Sequence, residues 1–179
     1  MDAAAVLVCA LNLLGRSAAS MPPVELLVHR PPDVSANAEA FVRHGSGTIS
    51  VLTDTATFRS AACGPGPGTS LVKLASILAH EASHVRDGPG ERLAYEAQLR
   101  TLLRLGVHPK SRLYSGVEAA MRVAVANQQR REKQDAEAAL AHHPEPTLPL
   151  LPGTSDRDGP DELPTSRGQI SGTTPRGLW

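Results

Sequence analysis

The amino-acid sequence predicts an α+β domain that is mostly helical, with a small sheet and a disordered tail. Several long stretches carry apolar residues at helical spacing, and two short β-branched stretches between them alternate as strands do. Beyond residue 143 the chain is rich in proline and glycine and loses this periodicity. We therefore predict a folded domain over residues 1–143 and a disordered tail over residues 144–179.

Composition narrows the possible functions. The 179 residues include 18 basic and 18 acidic side chains, so charge indicates neither a nucleic-acid partner nor an anionic membrane. Cys9 and Cys63 stand alone and predict no disulfide framework. We expect Cys9 to be a buried small hydrophobe and Cys63 to be free or mildly reactive.

The N-terminal apolar run, residues 3–14, is predicted to be a short core-facing helix that ends near Gly15. It is too short to span a bilayer, and Asp2 precedes it where a signal peptide carries a basic residue. This predicts a cytoplasmic protein. The weaker alternative is secretion through an atypical N-terminal signal.

The next segment contains the strands. Residues 24–29 and 48–53 read as strands bounded by proline and glycine turns. Residues 38–42 are predicted to be a short helical turn or part of a loop. Residues 57–62 look like a short helix before a Gly-Pro turn.

Three helices are predicted after this turn. The first begins with Thr69 or Ser70 as its cap and ends at the breaker run 87–90. The second runs from Glu91 to about Leu105 and stops at a glycine. The third runs from about Ser111 to about Leu140, and its polar later half is predicted to be a solvated extension.

The first of these helices contains the sequence His80-Glu81-Ala82-Ser83-His84. Two histidines four residues apart on a helix project from one face, which suits two imidazoles binding one metal ion. Glu81 is placed to accept a proton from a water activated by that metal. The pattern is typical of zinc-dependent hydrolases.

The second helix supplies a third ligand. Catalytic zinc usually keeps three protein ligands and one open position, and His80, His84 and Glu91 make such a set. A sharp turn between the helices would bring Glu91 to the histidines. Glu96 and Asp87 are the alternatives, although Glu96 is better explained by pairing with an arginine four residues away, and Asp87 by closing the turn.

These residues resemble the gluzincin branch of the zincin metallopeptidases, in which a His-Glu-x-x-His helix is followed by a helix bearing a glutamate ligand. Several of those families begin the second helix with Glu-x-x-Ala, as Glu91-Arg92-Leu93-Ala94 does here. The resemblance covers about residues 48–105 and implies a minimal zincin-like domain that hydrolyses peptide bonds in a peptide or protein substrate with Zn²⁺. The extended Asn-Glu-x-x-Ser-Asp signature of the thermolysin-like enzymes is absent.

The resemblance also implies a substrate-binding edge strand, for which residues 48–53 are the candidate; a plain core strand is the equal alternative. Tyr95, His108 and Tyr114 are candidates to stabilise the oxyanion of the reaction. The alternative function is a zinc-containing or metal-free binding domain without proteolytic activity. The tail is a candidate docking segment for a partner protein.

Overall fold

The computed structural model describes residues 2–15, 20–43 and 45–141, which form a mostly helical α+β domain with a small sheet, as predicted. The helices are α1 (Ala3–Leu14), α2 (Ala56–Ser60), α3 (Thr69–Asp87), α4 (Glu91–Arg104) and α5 (Arg112–Ala141). The strands are β1 (Val24–Leu27), β2 (Ala40–Val42) and β3 (Ile49–Leu52). The predicted tail, residues 144–179, lies outside the described residues. Among the described helices, none has the length and apolar character needed to cross a membrane.

The sheet has the strand order β1-β3-β2, with β3 parallel to β1 and antiparallel to β2. Strand β3 lies between β1 and β2 and all four of its residues are buried, so of the two alternatives for residues 48–53 the core strand is confirmed and the edge strand is wrong. The edges of the described sheet are β1 and β2, and β2 lies in a segment predicted to be a helical turn or loop. Phe41 and Val42 favour a strand, but a strand of three residues is too short to show an alternating pattern, and it is defined by its pairing with β3.

Helix α3 is the central element of the fold. It packs against α1, α2, α4, β2 and β3. Its apolar side chains form the main core together with those of the sheet and α1, and Leu74, Ala75 and Leu78 are almost completely buried. Glycine, and not the predicted Thr69 or Ser70, caps this helix: Gly68 is the N-cap and makes no side-chain hydrogen bond.

Helix α1 belongs to the core, as its apolar spacing predicts. Val6, Ala10 and Leu14 recur at four-residue intervals and are at most 1% exposed. Asp2 caps its first turn, accepting a hydrogen bond from the backbone N–H of Ala4 at 3.0 Å. Gly15 ends it with a positive φ of 59°.

A disulfide joins Cys9 of α1 to Cys63, which corrects the prediction that these cysteines are unpaired. The two residues are 54 positions apart in sequence, but the packing of α1 beside the start of α3 brings their Cα atoms to 5.9 Å. That separation lies in the range a disulfide spans. Sequence spacing carries no sign of this proximity.

Helices α4 and α5 form a second, smaller core with one side of α3. Its buried members are Val72, Leu99, Leu102 and Val117. Helix α5 extends far beyond this cluster, and most of its later half is exposed, as predicted. Gln128 is half-buried and differs from that pattern, because its side chain reaches back to the first residue of α4.

Candidate metal centre

The turn between α3 and α4 places the two helices side by side. Gly88 ends α3 with a φ of 89°, a conformation that favours glycine, and its N–H donates to the carbonyl of His84 at 3.1 Å. Helix α4 then starts at Glu91 and runs beside α3. Two histidines of one helix and the first residue of the next are brought together in this way.

The three predicted ligands converge. The Nε2 atoms of His80 and His84 are 3.1 Å apart, and an Oε atom of Glu91 is 3.8 Å from the first and 4.0 Å from the second. Two ligand atoms about 2.1 Å from a tetrahedral zinc ion are separated by roughly 3.4 Å. These are the three residues that, within the described chain, can hold a metal ion together.

The orientation of His84 is fixed by the turn. Its Nδ1 atom is 3.2 Å from the carbonyl oxygen of Gly88, and since a carbonyl only accepts, Nδ1 carries the proton. In the neutral imidazole Nε2 is then unprotonated and faces His80. Histidines that bind metals are held in this way by a second hydrogen bond.

His80 is buried, with 9% of its surface exposed. Burial and, to a smaller extent, the neighbouring His84 lower its pKa to about 4. The ring is therefore neutral near pH 7, which is the form that binds a metal. Its Nδ1 atom has no hydrogen-bond partner among the residues that the structure describes.

Glu81 lies on the same cleft and is only 8% exposed. Burial and, to a smaller extent, the carboxylate of Glu91 raise its pKa to about 7. A carboxyl group with a pKa near neutrality can both accept and release a proton at physiological pH. A cation bound between the histidines would lower this pKa again, because it favours the charged form.

The backbone of Glu91 is hydrogen-bonded to a residue far away in the sequence. The N-cap of α4 is Gly90, which offers no side-chain cap. The Oε1 atom of Gln128 on α5 instead accepts a hydrogen bond from the backbone N–H of Glu91 at 3.0 Å. The long helix α5 thereby fixes the first turn of α4, where the third ligand lies.

Tyr95 lies one turn after Glu91 and contacts His80. Its ring packs edge-on against His80 with the ring centroids 4.5 Å apart. Partial burial raises its pKa, and the carboxylates of Glu91 and Glu81 raise it too, so the hydroxyl remains a hydrogen-bond donor. Tyr95 lines the cleft, unlike the other two oxyanion candidates.

Those two candidates lie elsewhere. His108 is in an exposed loop, where its Nδ1 accepts from the backbone N–H of Lys110 at 3.1 Å. Tyr114 packs into the second core. Neither lines the described cleft, so the structure brings only Tyr95 to the histidines.

The alternative ligands also lie apart from the centre. Asp87, the last residue of α3, accepts hydrogen bonds from the side chains of Ser83 at 2.8 Å and of Arg86. Glu96 is half-buried, and the predicted pairing with Arg92 or Arg100 is absent from the ion pairs of the described residues.

The centre opens on a cleft of about 1260 Å³. Strand β2 and the residues around it contribute to its lining, and so do α3, α4 and α5. On α5 the lining residues are mostly small or apolar. They are Leu113, Gly116, Val117, Ala120 and Ala124, together with Arg112.

Two site residues were missing from the sequence prediction, Gln98 and Gln128. Gln98 is 6% exposed and lines the cleft beside the histidines. Its position seven residues after Glu91, on the same face of α4, is the one sequence signal that could have found it. Gln128 has no such signal, since it lies in a polar stretch of α5.

Comparison of the chain with models of protein families, with curated proteins and with solved structures finds no match.

Proposed function

We propose that this protein is a zinc-dependent metallopeptidase, with His80, His84 and Glu91 as metal ligands and Glu81 as general base. The observation that carries the proposal is the convergence of these three ligands beside a buried carboxylate on one open cleft. The gluzincin-like order of the motif in the sequence agrees with it.

The ligand set fits zinc. The Nε2 atoms of His80 and His84 are 3.1 Å apart, a distance at which they share one proton in a hydrogen bond or bind one metal ion together. With a carboxylate added, the set leaves a fourth position open. Zinc bound there would supply Lewis-acid chemistry, polarising a carbonyl and lowering the pKa of water toward about 7.

The protein residues then move the protons. Glu81 accepts a proton from the attacking water and delivers it to the amine that leaves, so that one carboxyl group serves as base and then as acid. Its burial beside Glu91 suits it to this exchange. Tyr95 donates a hydrogen bond to the carbonyl oxygen as negative charge develops on it.

The cleft suits an extended peptide. Its lining on α3 runs from Lys73 to Val85, a length of about 18 Å at the helical rise, which matches about five extended residues. Among the described strands β2 lies at an edge of the sheet and its residues line this cleft, which makes it the candidate for main-chain pairing with a substrate. The ion pair between Lys73 and Glu39, 2.8 Å long, ties this edge to α3.

Replacing Tyr95 by Phe is expected to lower kcat by about 100-fold to 1,000-fold, the usual effect of removing one oxyanion donor. Metal content should stay unchanged, because the ring against His80 remains. Peptide hydrolysis and zinc content of the two proteins give the comparison, with Tyr114→Phe as the matched control. Equal kcat in wild type and Tyr95→Phe would remove Tyr95 from the mechanism.

The metal itself is tested by analysing protein purified without added metal, as wild type and as His84→Ala. We expect about one zinc ion per chain in the wild type and almost none in the variant, because two remaining ligands bind zinc weakly. His108→Ala is the matched control, since that histidine is exposed and far from the cleft in the described structure. A wild type that neither contains nor binds zinc would overturn the proposal and leave a metal-free binding domain.

The disulfide indicates the kind of cellular compartment in which the protein works. Disulfides are rare in the cytosol and common in oxidising compartments, so the Cys9–Cys63 bond favours the alternative of an exported protein over the cytoplasm. We include an oxidising compartment in the proposal. The proposed substrates are then peptides present in that oxidising compartment.

A further inference from the structure

One buried polar atom of the metal centre lacks a partner. Among the described residues, Nδ1 of His80 is the buried side-chain nitrogen or oxygen without a hydrogen bond. Buried polar groups in native proteins are nearly always paired, and each exception calls for an explanation. When Nε2 of a neutral histidine binds a metal, Nδ1 carries the proton and needs an acceptor.

Gln98 is buried on the same cleft and carries an amide oxygen, which is the kind of acceptor that this nitrogen needs. The hydroxyl of Ser76 donates to the backbone carbonyl of Lys73 at 2.7 Å, so its oxygen is left to accept. It receives the Nε2 group of Gln98 at 3.4 Å. With its amide nitrogen engaged by Ser76, Gln98 has Oε1 available for another donor.

We propose that Gln98 is a positioning residue whose Oε1 accepts a hydrogen bond from Nδ1 of His80 and so keeps Nε2 of that ring free for the metal. The proposal rests on the metal centre proposed above. It gives both histidines the same support, because Gly88 already holds Nδ1 of His84 at 3.2 Å. Hydrogen bonds of this kind are often long in the unloaded site and shorten when the ligand binds.

The position of Gln98 on its helix supports the pairing with His80. Gln98 shares one face of α4 with Glu91 and Tyr95, at intervals of seven and three residues. Along this face, one residue binds the metal, one packs on His80 and one fixes its ring.

The test compares zinc affinity, measured by competition with a chromophoric chelator, in wild type, Gln98→Leu and Gln98→Glu. Leucine fills the same space without an acceptor, and we expect affinity to fall about 10-fold to 100-fold, as for other outer-shell partners. Glutamate restores an acceptor and should bind zinc with near wild-type affinity. The absorption spectrum of the Co²⁺-loaded proteins should shift in the leucine variant and recover in the glutamate variant.

Gln129→Leu is the control, because this exposed glutamine on α5 undergoes the same change away from the cleft. A role in packing alone would lower the thermal midpoint of metal-free Gln98→Leu and leave its zinc affinity equal to wild type; that result overturns the inference. Affinity lost equally in the leucine and glutamate variants overturns it too. Wild type that binds zinc but hydrolyses no peptide overturns the proposed function and leaves the inference standing.

Discussion

Glu81→Gln is expected to retain one zinc ion per chain and to lose about 100-fold to 10,000-fold in peptide hydrolysis, the range that general acid–base catalysis supplies. Glutamine fills the same volume but cannot take up a proton at neutral pH. It also removes one of two neighbouring carboxylates that repel each other, so the metal-free protein should be no less stable. Single-turnover hydrolysis of a peptide library, together with zinc analysis, measures both properties.

Glu96→Gln is the matched control for this experiment, since it makes the same change on α4 at a carboxylate that does not line the cleft. It should retain wild-type hydrolysis. If Glu81→Gln hydrolyses peptides as fast as the control, then Glu81 is not the base. If Glu81→Gln loses zinc while Glu96→Gln keeps it, then the carboxylate of Glu81 supports metal binding and not proton transfer.

The second large effect concerns stability. Removing the Cys9–Cys63 disulfide by the double change to serine is expected to lower the free energy of unfolding by about 4 kcal/mol. The reason is that the bond closes a loop of 54 residues, which restricts the unfolded chain. Urea unfolding of wild type and the double variant, followed by circular dichroism, gives the difference.

Two measurements make this result decisive. Thiol titration of unfolded wild type purified without reductant should find no free thiol, whereas reduced wild type should unfold at the same urea concentration as the double serine variant. Two free thiols per chain in the native protein would contradict the bond. Equal stability before and after reduction would mean that the bond, where present, does not constrain unfolding.

The helical part of the fold was open to prediction because its signals are local. Helices α1 and α4 bury apolar residues at helical spacing, the central helix α3 buries most of its residues, and a glycine with positive φ follows each helix: Gly15, Gly88 and Gly106. The histidine pair likewise depends only on helical spacing, and Glu91 on a single turn. The helix ends, the histidine pair and the turn before Glu91 each depend on residues that are close in sequence.

The features that the sequence did not reveal depend on distant residues. Strand β2 is defined by pairing with β3, and the disulfide by the packing of α1. Gln98 meets Ser76 across the two helices, 22 positions away. No local propensity encodes such contacts, since they arise only when the core positions the helices.

The hydrogen bond from Glu91 to Gln128 has a consequence for motif transfer. All three proposed ligands lie within residues 80–91, so a helical hairpin excised from this chain and grafted onto another scaffold would carry every atom that contacts the metal. It would lack the acceptor on α5, 37 positions beyond Glu91, and the first turn of its second helix would fray. A compact ligand set in sequence is thus a poor measure of how much protein is needed to hold it.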